Sequence, residues 1–197
     1  MQHEHLYPML CHNLDKWKFY LVLSSPCIIT YMNKYIDTTG KHILDVTCSN
    51  RSMWFEKDCP IALYCDKRKC VETVYMKNNR HQDCVVNPDV VCDFTDLPFK
   101  DESFELVVFD PPHAVNLAES SWTCKRYGSL DSNWQSVIKG GIDECLRVLK
   151  KYGTLIFKWS DCHIPTADVI KAIGIQPLFG HRSGKKMNTH WMVFMKK

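Results

Sequence analysis

The stretch FELVVFDPPH, residues 104–113, decides how this chain is read. Phe104 to Phe109 form an apolar run broken only by Glu105, the pattern of a strand buried in a parallel sheet, and the run ends on Asp110. Pro111 and Pro112 then remove two ladder donors and disfavour a helical start, so the chain must leave the sheet at the acid. A carboxylate at the mouth of a buried strand, followed by a stiff turn whose carbonyls cannot be absorbed into a helix, is the arrangement expected of a site.

Working outward, five more apolar runs of strand length follow residue 40: HILDVTC (42–48), IALYCD (61–66), VVCDF (90–94), GTLIFKWS (153–160) and THWMVFMK (189–196). Helical patterns lie between several of them. In NWQSVIKGGIDECLRVLKK (133–151), Val137, Ile138, Ile142, Cys145, Leu146 and Leu149 form one stripe, with Gly153 as a stop. Pro165–Ile173 is a second helix opened by proline, and 26–36 reads as a third that leads into the first strand. Alternating strands and helices imply parallel strands joined by right-handed crossovers, hence a three-layer, doubly wound α/β fold with a mostly parallel sheet. The ending departs from this. QPLFGHRS (176–183) followed by the last run reads as a hairpin, which places an antiparallel strand at the end of the sheet. SSWTCKRYGSL (120–130) reads as a polar surface loop.

With 197 residues, 45% of them hydrophobic and 24% charged, the chain supports one core: a single domain over 1–197, with an N-terminal extension at 1–40 and a catalytic core at 42–197. No apolar run approaches the roughly 20 residues of a membrane span, and MQHEHLYPML lacks the features of a secretory signal, so a soluble cytoplasmic protein with no membrane partner is expected. Eleven cysteines, an odd number without a CxxC pair, fit reduced thiols. Cys59, Cys65 and Cys70 lack paired ligand spacing, and His3, His5 and His12 cluster only by count, so no metal is expected. Charge is divided unevenly: residues 1–120 carry 12 basic and 17 acidic side chains, and 121–197 carry 13 and 5. The basic half begins just after the Asp-Pro-Pro turn, which favours an anionic partner there.

In a doubly wound sheet ligands bind beyond the carboxyl ends of the strands, near the point where strand order reverses. Four successive runs end there on acids: Asp45, Asp66, Asp93 and Asp110. Asp66 follows Asp45 by 21 positions, close to the interval at which an acid reaches a ribose in dinucleotide folds. Asp93 is paired with Phe94, an acceptor beside an aromatic ring.

On these residues the chain resembles the class I S-adenosylmethionine-dependent methyltransferases: ILDVTCSNRSMWF, LYCDKR, VVCDFTDLPF and VVFDPPH look like that family's successive motifs over roughly 42–160. It is similar in particular to the subset that methylates amino groups, marked by Asp or Asn, two prolines and an aromatic. The resemblance implies that Asp45 and the loop Thr47, Cys48, Ser49 and Asn50 hold the methionine part of S-adenosylmethionine, that Asp66 holds its ribose, and that Asp93 with Phe94 holds its adenine. Ser49 and Asn50 replace the family's loop glycines, and Asn tolerates positive φ better than most residues. His113 stands where the family has Tyr, Phe or Trp.

An exocyclic amino group on a base is a poor nucleophile because its lone pair is delocalised into the ring. A carboxylate and a carbonyl, each accepting one N–H, localise that pair, which gives Asp110, Pro111 and Pro112 their expected catalytic role. His113 is expected to stack on the target base. Lys125, Arg126 and Tyr127 on the polar loop, Arg182 and Lys185 on the closing hairpin, and Trp159 as a pocket wall are the expected substrate contacts. Lys158 and Ser160 carry no assignment. The expected activity is methyl transfer to a nucleic-acid base, adenine N6 foremost and cytosine N4 next, in DNA or RNA, with a protein partner possible for target recognition. The same chemistry suits a protein glutamine amide or a small amine, and the glycine-poor loop also fits a non-catalytic partner subunit.

Overall fold

A computed structural model describes residues 35–75 and 81–197. His3, His5, His12 and all but the last two positions of the 26–36 pattern lie outside the described residues. Residues 35–197 build a seven-stranded sheet with the order β5-β2-β1-β6-β7-β9-β8. The strands are β1 (Ile43–Asp45), β2 (Ala62–Asp66), β5 (Val90–Val91), β6 (Phe104–Phe109), β7 (Leu149–Ser160), β8 (Phe179–Ser183) and β9 (Thr189–Met195). Five strands run parallel, and β9 lies antiparallel between β7 and β8, as the closing hairpin predicts. The chain moves outward from β1 to β2 and β5, then returns to β6 on the other side of β1, so strand order reverses between β1 and β6.

The main core lies on one face of the sheet. Leu44, Val107, Phe109, Leu155 and Phe157 are fully buried, together with Ile138, Ile142 and Cys145 of helix α2 (Trp134–Val148) and Val169 and Ile173 of helix α3 (Thr166–Ile173). Gly141 lets α2 approach closely: a Cβ there would lie 2.7 Å from Phe94 and 2.8 Å from Phe109. On the other side Trp54 packs edge-on to Tyr64 at 5.0 Å, beside Ala62 and Cys48.

Three elements differ from the sequence reading. Helix α2 ends at Val148 instead of running to Lys151, because Leu149 is buried and pairs with Phe104, and that pairing outweighs the helical tendency of Leu-Lys-Lys. Residues 120–130 contain helix α1 (Trp122–Tyr127), opened by the Ser121 hydroxyl accepting from Cys124 N–H and closed by Gly128 at φ 81°. No α1 residue is buried, so no apolar stripe marks it. Between β2 and β5 stands an antiparallel hairpin of β3 (Cys70–Tyr75) and β4 (His81–Val86), and among the described residues the β1-to-β2 connection is a series of turns. Among the described residues neither carries the crossover helix that simple alternation implies.

Candidate active site

A cavity of about 720 Å³ opens at the carboxyl edge of the sheet, where strand order reverses. Register explains why polar groups meet there. Leu44 pairs with Val107 and Phe109 with Phe157, all on the face toward α2. Side chains alternate along a strand, so Asp45, Asp110 and Lys158 leave on the opposite face. Asp45 pairs with Tyr64, which gives Asp66 the same parity.

The loop after β1 is tied to both neighbouring strand ends. Thr47 Oγ1 accepts from Asp110 N–H at 2.9 Å, Cys48 N–H donates to Cys65 O at 2.8 Å, and Ser49 N–H donates to Asp66 Oδ2 at 3.0 Å. Thr47, Cys48 and Ser49 line the cavity. Positive φ in this loop falls on Ser49 (47°) and Arg51 (54°), and Asn50 neither adopts it nor lines the cavity. Arg51 is anchored by Asp58 at 2.7 Å and Asp89 at 3.1 Å, and its guanidinium lies 3.8 Å over the Tyr64 ring. Burial pushes the Cys48 thiol up to about 12.

Asp45 is fully buried behind this loop and does not line the cavity. Its carboxylate accepts from Trp54 Nε1 at 2.7 Å and Thr47 N–H at 3.2 Å, and burial pushes its pKa up to about 7 despite them. Asp66, Asp93 and Phe94 do line the cavity. Asp66 Oδ1 accepts from Arg68 N–H at 2.9 Å and Arg68 Nε at 3.3 Å, and Arg68 Nη1 reaches Lys125 O at 3.1 Å. Arg68 thereby links the end of β2 to α1. Asp93 accepts from Thr95 N–H and Oγ1 and from Lys67 at 3.0 Å.

Asp110 sits in a ring of groups that sequence reasoning only partly found. Lys158 Nζ donates to Asp110 Oδ2 at 2.6 Å. His113 Nε2 pairs with Oδ1 at 2.9 Å without the alignment of a hydrogen bond, so Oδ1 is buried with no hydrogen-bond partner, and His113 Nδ1, also buried, has none either. Burial works to raise the Asp110 pKa, but His113 and Lys158 outweigh it and hold the carboxyl below its usual value. Pro111, Pro112 and His113 all line the cavity. Gly128 packs against Pro112, where a Cβ would come within 3.0 Å, so the end of α1 seats directly on the turn.

Trp159 does not wall the pocket. It is fully buried on the α2 face, donates Nε1 to Ile164 O at 2.9 Å, and meets the His113 ring edge-on at 5.0 Å. Strand parity turns Lys158 toward the acids instead, and knowing the register would have found it. Tyr127 lines the cavity, while Lys125 and Arg126 stand outside it on α1, with Arg126 5.3 Å over the rings of both Trp122 and Tyr127. Arg182 and Lys185 are exposed on the β8–β9 hairpin, outside the lining. The hairpin turn leaves from the same sheet edge, since Thr189 pairs with Ser160 and both line the cavity. Among the described residues no three His, Cys, Asp or Glu side chains gather to hold a metal, and no helix is long and apolar enough to cross a membrane.

Comparison with known proteins finds likeness in structure alone. No family model and no curated protein matches the sequence. Among solved structures, the PH0226 protein from Pyrococcus horikoshii OT3 matches 79% of this chain and 82% of its own at 14% identity, with a TM-score of 0.50. A TehB-like SAM-dependent methyltransferase from Corynebacterium glutamicum matches 80% and 81% at 13% identity and a TM-score of 0.48. The N-methyltransferase NodS from Bradyrhizobium japonicum WM9 matches 79% and 85% at 12% identity and a TM-score of 0.46. At these identities the likeness establishes the fold: an α/β, Rossmann-like, mostly parallel sheet with an antiparallel strand near one edge.

Proposed function

We propose that the protein transfers a methyl group from S-adenosylmethionine to an exocyclic amino group of a nucleic-acid base, adenine N6 foremost. One observation carries the reading: Asp110 and its diproline turn line the same cavity as Asp66, Asp93, Phe94 and the Thr47–Ser49 loop.

The lining suits the cofactor in chemistry and in shape. Asp66 and Asp93 supply acceptors for a ribose diol and an adenine amino group, and Phe94, 5.1 Å from Phe109, supplies an apolar flank. When bound, S-adenosylmethionine supplies an electrophilic methyl, whose bond to sulfur breaks as the amine nitrogen takes it. Asp110 accepts one N–H of the target amine, and a carbonyl of the diproline turn accepts the other, which draws the nitrogen lone pair out of conjugation. The surplus N–H proton, acidic once the nitrogen is alkylated, passes to water, so no strong base is needed. His113, braced by Trp159, packs against the base. Tyr127 borders the entrance, with Trp122 and Arg126 beside it on α1 as a stacking surface for unpaired strands. The hairpin's Arg182, Lys185 and Lys186, exposed at the same sheet edge, offer charge to a phosphate backbone.

The test is a mass-spectrometric survey of modified nucleosides after incubation with mixed DNA and RNA, alongside tritiated cofactor with protein pools. Methylated adenine or cytosine that disappears in Asp110→Ala, with cofactor affinity retained by calorimetry, supports the reading. Label confined to protein, or full activity in Asp110→Ala, overturns it.

A further inference from the structure

Lys158 is the residue of this site that the proposed mechanism leaves unused. It interrupts an apolar strand, LIFKW, and its side chain is 24% exposed, so its charge is held largely out of water. Its one hydrogen-bond partner among the described residues is Asp110, which leaves two ammonium N–H donors without an acceptor beside the cavity that Lys158 lines. Trp191, 5.7 Å from Nζ, offers a ring face only. Holding an isolated counter-ion for Asp110 would need a single donor. The spare donors sit next to a carboxylate whose buried Oδ1 makes no hydrogen bond, although His113 Nε2 stands 2.9 Å from it.

The pair therefore presents a carboxylate and a charged donor side by side, joined through the 2.6 Å bond from Nζ to Oδ2. Its complement is an N–H donor with an acceptor on the neighbouring position of one planar group. In an aminated heteroaromatic ring the amino nitrogen and the adjacent ring nitrogen are bonded to the same carbon and lie about 2.3 Å apart, close enough to engage both partners at once. An aliphatic amine has no such acceptor. A carboxamide has one, but the aromatic surroundings of Phe94, Tyr127 and His113 favour a ring.

We propose that Lys158 determines substrate specificity: it donates to the ring nitrogen adjacent to the target amino group while Asp110 accepts from that amino group, so that the pair selects an amidine-type edge of a base over an aliphatic amine. This rests on the methyl-transfer reading above and names the chemical group that the site reads. Lys158 and Asp110 stay paired throughout, and the substrate binds across them.

The test compares single-stranded oligonucleotides that carry adenine, 1-deazaadenine or 7-deazaadenine at the target, in the wild type and in Lys158→Met. Transfer rates are read together with oligonucleotide affinity in the presence of S-adenosylhomocysteine. In the wild type, 1-deazaadenine, which lacks the ring nitrogen bonded to the amino-bearing carbon, lowers kcat/KM by about 10- to 100-fold, as loss of a hydrogen bond to a charged group does, and 7-deazaadenine behaves like adenine. In Lys158→Met, adenine and both analogues become equivalent, in rate and in affinity. Should that variant fail to fold because Asp110 is left uncompensated, Lys158→Gln keeps a neutral donor and shrinks the analogue penalty without abolishing it. An equal penalty in wild type and variant, no penalty for 1-deazaadenine, or a penalty for 7-deazaadenine instead overturns the role of Lys158 and leaves the methyl-transfer reading standing. Absence of any methylated nucleoside with the wild type overturns both, and label on protein carboxamides overturns the choice of a base.

Discussion

Asp110 Oδ2 and Lys158 Nζ meet at 2.6 Å, one rung beyond Phe109 and Phe157, the last paired residues of the β6–β7 ladder. Two positions far apart in sequence thus become neighbours because parallel pairing carries both side chains off the same face of the sheet. The pair turns an acid at a strand end into an acid that stays ionised while mostly buried.

Activity should accordingly persist into acid. Asp110 is held below the usual carboxylate range by His113 and Lys158 against the opposing effect of burial, so the acid limb of kcat/KM should fall below that range. Lys158→Met removes the attractive charge and should move the limb upward. A pH–rate profile of both proteins measures this, and an unmoved limb would show that Lys158 does not set the charge state of Asp110.

Asp45 should leave the opposite mark on stability. Its folded pKa is raised to about 7, above its value in the unfolded chain, so the folded state binds the extra proton between about pH 4 and 7. Stability from this group is therefore full at the acid end of that window and is lost as pH rises through it, at a cost on the order of 1–4 kcal/mol. Asp45→Asn loses one acceptor, from either Trp54 or Thr47, at a cost independent of pH, and flattens the pH slope. Thermal melts of both proteins from pH 4 to 8 should show their Tm difference changing across the window; parallel curves would contradict the assignment.

Ser49→Gly should stabilise the protein. Ser49 holds φ at 47°, where an L-residue is strained and glycine is not. The gain is about 0.5–1 kcal/mol in denaturant melts, offset in part by the greater freedom of glycine in the unfolded chain. Cofactor affinity should not fall, because the bond to Asp66 comes from the backbone N–H.

Gly141→Ala should do harm at a distance from the cavity. The new methyl would press on Phe94 and Phe109 from inside α2, at a cost of about 1–3 kcal/mol. Because Phe94 lines the cavity, cofactor affinity by calorimetry should weaken as well. Gly140→Ala, whose Cβ would meet only Thr95 at 3.6 Å, serves as the control and should leave both nearly unchanged.

The strand ends were legible in the sequence because they are local events. An apolar run announces a buried strand, and a following acid or proline announces its exit, which points Asp45, Asp66, Asp93 and Asp110 to one sheet edge. The closing hairpin and helix α2 were legible for the same reason, through a turn and a stripe. What stayed hidden depends on partners distant in sequence. The β3–β4 hairpin carries few large apolar residues and is held by its own ladder. Helix α1 has no fully buried residue and is held by a cap, a glycine and Arg68. Only register could exchange Trp159 for Lys158 at the cavity, since a shift of one residue sends every side chain to the other face. Sequence alone determined where β1, β2 and β6 stop and which acids stop them. The tertiary structure decided which face those acids share and which cation meets them, because pairing between strands, unlike the run of a strand itself, is set by contacts that no single segment contains.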